Sequence, residues 1–266
     1  MPQPATTPRR EPRAFDAALF DMDGVVTDTA AVHAAAWQRM FDEFLRRRAE
    51  TRSEPFTPFS PTQDYLRHVD GKPRYQGVAA FLASRGIVLP FGSATDPAGA
   101  ETVCGLGNRK NELFNAIVAA EGVRVYESTI ALIHALRAAG IRIGLATSSR
   151  NAAVILGRSA TTSLFATVVD GLVSEKRGLQ GKPHPDIFAA ACTDLSVSCA
   201  RAVVFEDAVS GVQAGARGGF ALVIGVARAH NARELRENGA DVIVSDLAEI
   251  DLAEINLQVR LKAAGR

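Results

Sequence analysis

Residues 14–24 read AFDAALFDMDG. The first part is a short apolar run of the kind that forms a strand buried on both faces, and it breaks abruptly into Asp21-Met22-Asp23-Gly24. Residues two apart on an extended chain point the same way, so Asp21 and Asp23 can share one site. Val32, Ala36, Met40 and Phe44 then recur at helical spacing, with Asp28 or Thr29 as the expected N-cap. The same sequence of apolar run and polar stop returns downstream. Ile141-Arg142-Ile143-Gly144-Leu145-Ala146 ends in Thr147-Ser148-Ser149-Arg150-Asn151, and the run 202–205 ends in Glu206-Asp207. Further strand-like runs lie at 167–169, 221–224 and 241–244, with helical stretches between them at 186–194 and 210–217. Near-continuous apolar strands alternating with helices indicate an α/β fold on a parallel sheet.

The stretch between the first two strands reads differently. Residues 106–120 and the run Val78-Ala79-Ala80-Phe81-Leu82 read as helices, and proline-marked polar loops are expected at about 48–62 and 89–102. The expected organisation is therefore a solvated tail at 1–13, a core of 14–33 and 127–266, and a helical insert at 34–126. Such an insert, spliced in after the first strand, can enclose a ligand against the strand ends.

Composition narrows the functional classes. Thirty basic residues against twenty-nine acidic give a net charge of +1, which argues against a nucleic-acid or membrane-surface protein. No apolar run approaches the roughly 20 residues of a membrane-crossing helix, and the N-terminal residues lack the apolar core of a secretory signal. Cys104, Cys192 and Cys199 have no paired spacing, which excludes a disulfide scaffold and points to the reducing cytoplasm. Only five basic residues are lysines, so a lysine in a special position asks whether an ammonium is needed there.

Ligands of open parallel sheets bind beyond the carboxyl ends of the strands. The groups expected there are Asp21, Asp23, Glu206 and Asp207, the hydroxyls and backbone N–H groups of the 147–151 turn, and Lys182 in Gly181-Lys182-Pro183. Carboxylates gathered in one place repel unless a cation or protons intervene, and an all-oxygen set suits magnesium bridging to a substrate phosphate. Lys182 supplies the counter-charge, and Thr147, Ser148 and Asn151 can donate to phosphate oxygens. Lys110 falls on the apolar stripe of its helix, four residues from Leu106 and from Phe114, which fits either a snorkelling stem or a site ammonium; the scarcity of lysine favours the site.

These motifs, in the order Asp21-Met22-Asp23-Gly24, Thr147, Lys182 and Glu206-Asp207, resemble the haloacid dehalogenase superfamily over residues of about 15–245. The resemblance implies a Rossmann-like core with an inserted helical cap. It also implies Asp21 as the nucleophile that is phosphorylated, Asp23 as general acid/base, and Thr147 and Lys182 as catalytic partners. Magnesium is implied at the Asp21 carboxylate, the Asp23 carbonyl and Asp207, with Glu206 close by. A crowded carboxylate cluster is expected to hold the proton that Asp23 needs.

Within that superfamily the chain resembles the β-phosphoglucomutase family. Thr29, His33 and Trp37 match its hinge threonine and the ring pair on the first cap helix. Asp70-Gly71-Lys72-Pro73-Arg74 matches the cap loop whose arginine holds the non-transferring phosphate. Ser149-Arg150-Asn151 matches the core segment that binds the same phosphate, and Lys110 matches a cap-helix lysine. Two phosphate pockets at once favour a mutase that works through a β-glucose 1,6-bisphosphate primer. The alternatives are a sugar-phosphate phosphatase on the same scaffold and a degenerate binding module. The expected partner is a small sugar phosphate bound by a monomer, and His68, His134, His184 and His230 are left as structural residues.

Overall fold

The computed structural model describes residues 13–228 and 230–265. The tail expected at 1–13 lies, apart from Arg13, outside the described residues. Among the described residues six strands form one sheet: β1 (Ala17–Phe20), β2 (Arg142–Ala146), β3 (Thr167–Val169), β4 (Ala202–Glu206), β5 (Leu222–Val226) and β6 (Val242–Val244). Their spatial order is β3-β2-β1-β4-β5-β6, and every neighbouring pair is parallel. The chain winds outward from β1 through β2 to β3, then returns to the other side of β1 for β4. That reversal opens a crevice at the carboxyl ends of β1 and β4, where doubly wound sheets bind ligands.

Register places the chemistry in that crevice. Phe20 lies opposite Phe205, and the Asp21 N–H donates to the Phe205 carbonyl at 3.0 Å. Asp21 and Glu206 are therefore the next residues out of two adjacent strands. Both sheet faces are covered, as the apolar strands require. Ala18 and Phe20 share a core with Ile133 and Leu136 of α4 (Glu127–Ala138) and Ile255 of α10 (Leu252–Ala264). Ala17 and Leu19, pointing the other way, pack with Ile187 and Phe188 of α7 (Asp186–Asp194) and Ala214 of α8 (Val209–Arg217).

Between β1 and β2 the helices α1 (Ala30–Arg52), α2 (Arg74–Ser84) and α3 (Val103–Glu121) pack on one another. Helix α1 buries Trp37, Met40, Phe41 and Phe44, and Phe41 meets Phe81 of α2 at 4.1 Å between ring centroids. Helix α1 continues through Arg52, past the point at 48 where a loop is expected. Residues 48–52 carry no apolar stripe, but Arg, Ala and Glu are good helix formers and extend the helix as a solvated end. The first proline-marked loop returns to the core through Phe59, which is 1% exposed and whose N–H donates to Asp42. The second is pinned by Asn108, whose amide donates to the Ala94 and Asp96 carbonyls.

Phe20 and Phe205 are fully buried and stacked, with centroids 4.3 Å apart, directly beneath Asp21 and Glu206. Phe205→Ala should lower the free energy of unfolding by about 3–5 kcal/mol, read from urea denaturation. A loss below about 1 kcal/mol would mean that this stack does not hold β1 and β4 together.

Candidate active site

Three carboxylates and one ammonium meet at the reversal point. Lys182 Nζ lies 2.5 Å from Asp21 Oδ1 and 2.5 Å from Glu206 Oε1, and the lysine is 1% exposed. The other Glu206 oxygen accepts the Ala208 N–H at 2.7 Å, which fixes the carboxylate against the start of α8. Oxygens of Asp21, Glu206 and Asp207 all lie within 4.8 Å of one another. Burial raises the Asp21 carboxyl well above the ordinary range; Lys182 opposes the shift, and Glu206 and Asp23 add to it. Asp207 is likewise pushed up, by burial first and then by Asp70, Glu206 and Asp21. Burial alone would depress Lys182, but Asp21 and Glu206 raise it instead. The donor set is all oxygen and, with every carboxylate ionised, would carry more negative charge than one ammonium cancels, so its chemistry fits a hard divalent cation such as magnesium.

Asp23 departs from the expectation of a proton held by crowding. Burial pushes its carboxyl up, but His33, Thr29 and Lys110 outweigh that, and it sits below the ordinary value. His33 Nε2 faces Asp23 Oδ1 at 3.2 Å, and the Thr29 hydroxyl donates to the same oxygen. Thr29 does stand at the N-cap of α1, but its side chain makes no cap bond because it is turned to Asp23. The cluster therefore shifts proton affinity onto Asp21 and Asp207 rather than Asp23.

The far wall of the cleft comes from α1, α3 and the loop before α2. Lys110 is 4% exposed, with Nζ 2.6 Å from His33 Nδ1 and over the rings of Trp37 and Phe114. Burial lowers its pKa to about 7, and Arg74 adds to the effect. Arg74 donates to Asn111 Oδ1 at 2.7 Å, and the Asn151 amide donates to the same oxygen at 2.8 Å. Arg150 is paired with Glu175 at 2.5 Å. Thr147 Oγ1 accepts the Ser149 N–H, and the Ser148 hydroxyl donates to the Gly71 carbonyl.

One cleft unites these groups. Asp21, Asp23, His33, Trp37, Arg74, Lys110, the 147–151 turn and Asp207 all line it, while Thr29, Lys182 and Glu206 stand behind the lining. Three lining or bridging residues escaped the sequence reading: Asp70, Tyr65 and Asn111. Burial first, then Glu206, raises Asp70 to about 7, with its bond to Tyr65 opposing. Asp70 stood in the quoted loop motif, and Asn111 stood beside Lys110; neither carries a local signal for its role.

A family model described as haloacid dehalogenase-like hydrolase matches residues 15–219. A β-phosphoglucomutase from Mycobacterium bovis is 45% identical over 242 residues, covering 90% of this chain and 92% of that protein. A β-phosphoglucomutase from Bacillus subtilis is 32% identical, covering 89% and 92%, and a validoxylamine A 7'-phosphate phosphatase from Streptomyces hygroscopicus is 29% identical, covering 89% and 96%. Among solved structures, a β-phosphoglucomutase from Clostridium difficile superposes with a TM-score of 0.72 at 20% identity, covering 94% of this chain and 99% of that one.

Lys110 generates a prediction whose sign follows from its lowered pKa. Between about pH 7 and the unfolded value of 10.5 the unfolded chain holds a proton that the folded one lacks, so stability rises with pH across that window. Below it both states are protonated and the cost of the buried charge is fully present. Lys110→Met should therefore be more stable than the parent near pH 6, by about 1.4 kcal/mol per unit of depression, and the excess should shrink toward pH 10. Urea unfolding across that range checks it, and a pH-independent difference would contradict it.

Proposed function

Since the chain belongs to the haloacid dehalogenase-like hydrolases and, within them, to the β-phosphoglucomutase family, it is a phosphotransferase, and we propose that it interconverts β-D-glucose 1-phosphate and glucose 6-phosphate. The observation that carries the reading is a single cleft with two differently built poles. Asp21, backed by Lys182, stands at one, and Arg74 and Asn151, joined through the Asn111 oxygen to which both donate, stand at the other. A mutase must hold two phosphates at once, and a hydrolase needs only the first pole.

In this reading Asp21 attacks phosphorus in line and carries the phosphoryl group, while Lys182 fixes its carboxylate and offsets charge on the transferring oxygens. Asp23 serves the sugar hydroxyl, taking its proton when the hydroxyl attacks and returning it when the sugar leaves. His33 and Thr29 hold Asp23 in place, and their contacts favour its carboxylate form, the form that can accept the hydroxyl proton. Arg74, with Ser149, Arg150 and Asn151, holds the phosphate that is not moving, and Lys110 and Trp37 close the sugar's side of the cleft. Thr147 and Ser148 donate around the moving phosphoryl group. The carboxylates of Asp21 and Asp207, the Asp23 carbonyl and nearby Glu206 would hold magnesium, which when bound neutralises phosphoryl charge.

Residues 34–126 act in this proposal as a cap that excludes water from the aspartyl phosphate. The bisphosphate acts as primer, being the species left bound when the sugar turns around. The reading includes a monomeric enzyme of the cytoplasm. Its three cysteines are free, and no helix among the described residues is long and apolar enough to cross a membrane.

A coupled assay with β-glucose 1-phosphate, magnesium and a trace of bisphosphate tests the proposal. Glucose 6-phosphate should form catalytically; free phosphate in its place would select a phosphatase, as some relatives are named. Asp21→Ala should abolish turnover while the fold persists by circular dichroism, and retained activity would remove Asp21 as nucleophile.

A further inference from the structure

Two hydroxyls of the core reach the same loop of the helical insert. Ser148, after β2, donates from Oγ to the Gly71 carbonyl at 3.0 Å, and Ser210, in the first turn of α8, donates from Oγ to the Asp70 carbonyl at 3.2 Å. Strands β2 and β4 flank β1, so the two hydroxyls straddle the end that carries Asp21. Their acceptors are consecutive residues just ahead of Arg74. The approach is close: Gly71 has φ +66°, and a Cβ there would overlap Ser210 Oγ and press on Ala208 Cβ. Ser210 is 7% exposed and does not line the cleft, so its hydroxyl faces the loop rather than a ligand.

We propose that Ser210 is a positioning residue of phosphoryl transfer, holding the Asp70–Gly71 backbone on the turn after β4 so that water stays out while Asp21 carries the phosphoryl group. The inference rests on the mutase reading and names what decides between sugar and water as acceptor. In the competing hydrolysis a water oxygen bonds to phosphorus and the bond from phosphorus to the Asp21 oxygen breaks. The electron pair stays on the Asp21 carboxylate, and the water proton passes to Asp23. Nothing in that step needs the second phosphate, so only exclusion of water limits it. Because the loop contributes carbonyls, the clasp needs none of its side chains, and at position 71 it requires that there be none. Losing one neutral hydrogen bond of this kind corresponds to roughly a five-fold change in the ratio of open to closed loop.

The test is Ser210→Ala, a substitution that favours helix and leaves the cleft lining intact. Wild type and variant are phosphorylated with acetyl phosphate and magnesium, and phosphate release is followed in a single turnover. Release should accelerate about five-fold in the variant while labelling of Asp21 proceeds at the wild-type rate. With β-glucose 1-phosphate, the ratio of free phosphate to glucose 6-phosphate should rise by the same factor. Trp37, the single tryptophan, lines the cleft and is 4% exposed, so acrylamide quenching of its fluorescence should increase in the variant. Unchanged phosphate release overturns the proposal, whether or not quenching moves. Failure of acetyl phosphate to label the wild type instead removes the nucleophile and the transfer role together, and quenching then decides whether the clasp itself exists. Labelling without glucose 6-phosphate sinks the mutase reading alone, because phosphate release still judges Ser210.

Discussion

One buried ammonium conditions everything at the reversal point of the sheet. Asp21 and Glu206 emerge side by side because β1 and β4 are parallel neighbours in register, and both are removed from water. Two such carboxylates without a partner would take up protons or force the strand ends apart. Lys182 lies between them at equal distance, satisfying one oxygen of each. Its own charge is maintained by the pair it neutralises, so the three groups are stable only together. Adding Asp207 gives the cluster one more carboxylate than the ammonium can balance when all are ionised, which makes it a place for a cation and the phosphate that the cation brings.

Across the cleft a second buried lysine behaves in the opposite way. Lys110 and Lys182 are nearly equally hidden, yet one is depressed to about 7 and the other raised. Burial acts alike on both; the difference is in the neighbours. Lys182 faces two carboxylates directly, whereas Lys110 meets a histidine nitrogen, two aromatic faces and the field of Arg74. The helical insert thus brings positive groups that are poorly compensated toward a core end whose carboxylates are poorly compensated. An anionic sugar phosphate with a divalent cation relieves both imbalances, which gives the closed cleft an electrostatic reason to prefer its ligand.

Much of this was legible in the chain itself. The strands declared themselves because a doubly covered sheet demands unbroken apolar runs, and those of β1, β2 and β4 ended in the polar residues that now meet. The family resemblance supplied roles that spacing alone could not, since β1 and β4, neighbours in the sheet, are separated by most of the chain's length. What escaped has a common physical origin. Helix α1 outran its apolar stripe because Arg, Ala and Glu continue a helix without packing. Thr29 looked like a cap, but tertiary contact with Asp23 claimed its hydroxyl. Asp23 sits beside a carboxylate cluster, yet His33 from the next helix and Lys110 from a helix far along the chain overrule it. Asn111, with two hydrogen bonds, and Ser210, with one, are tied to segments far along the chain, a relation that no local pattern encodes.

The scarcity of lysine can now be read physically. The chain uses arginine for most of its exposed positive charge, where a broad, always-charged fork is as good as any cation. At position 182 a fork does not serve: the charge must touch two carboxylates from a site that is 1% exposed, and a compact ammonium with three rotatable donors does so in less space. At position 110 the requirement is different, because an arginine cannot give up its proton and would keep a full charge buried in the field of Arg74 at every accessible pH. A lysine can release it, which relieves the repulsion from Arg74 within the cleft. The two positions call for the same residue for opposite reasons, one for the size of its head group and the other for the weakness of its hold on a proton.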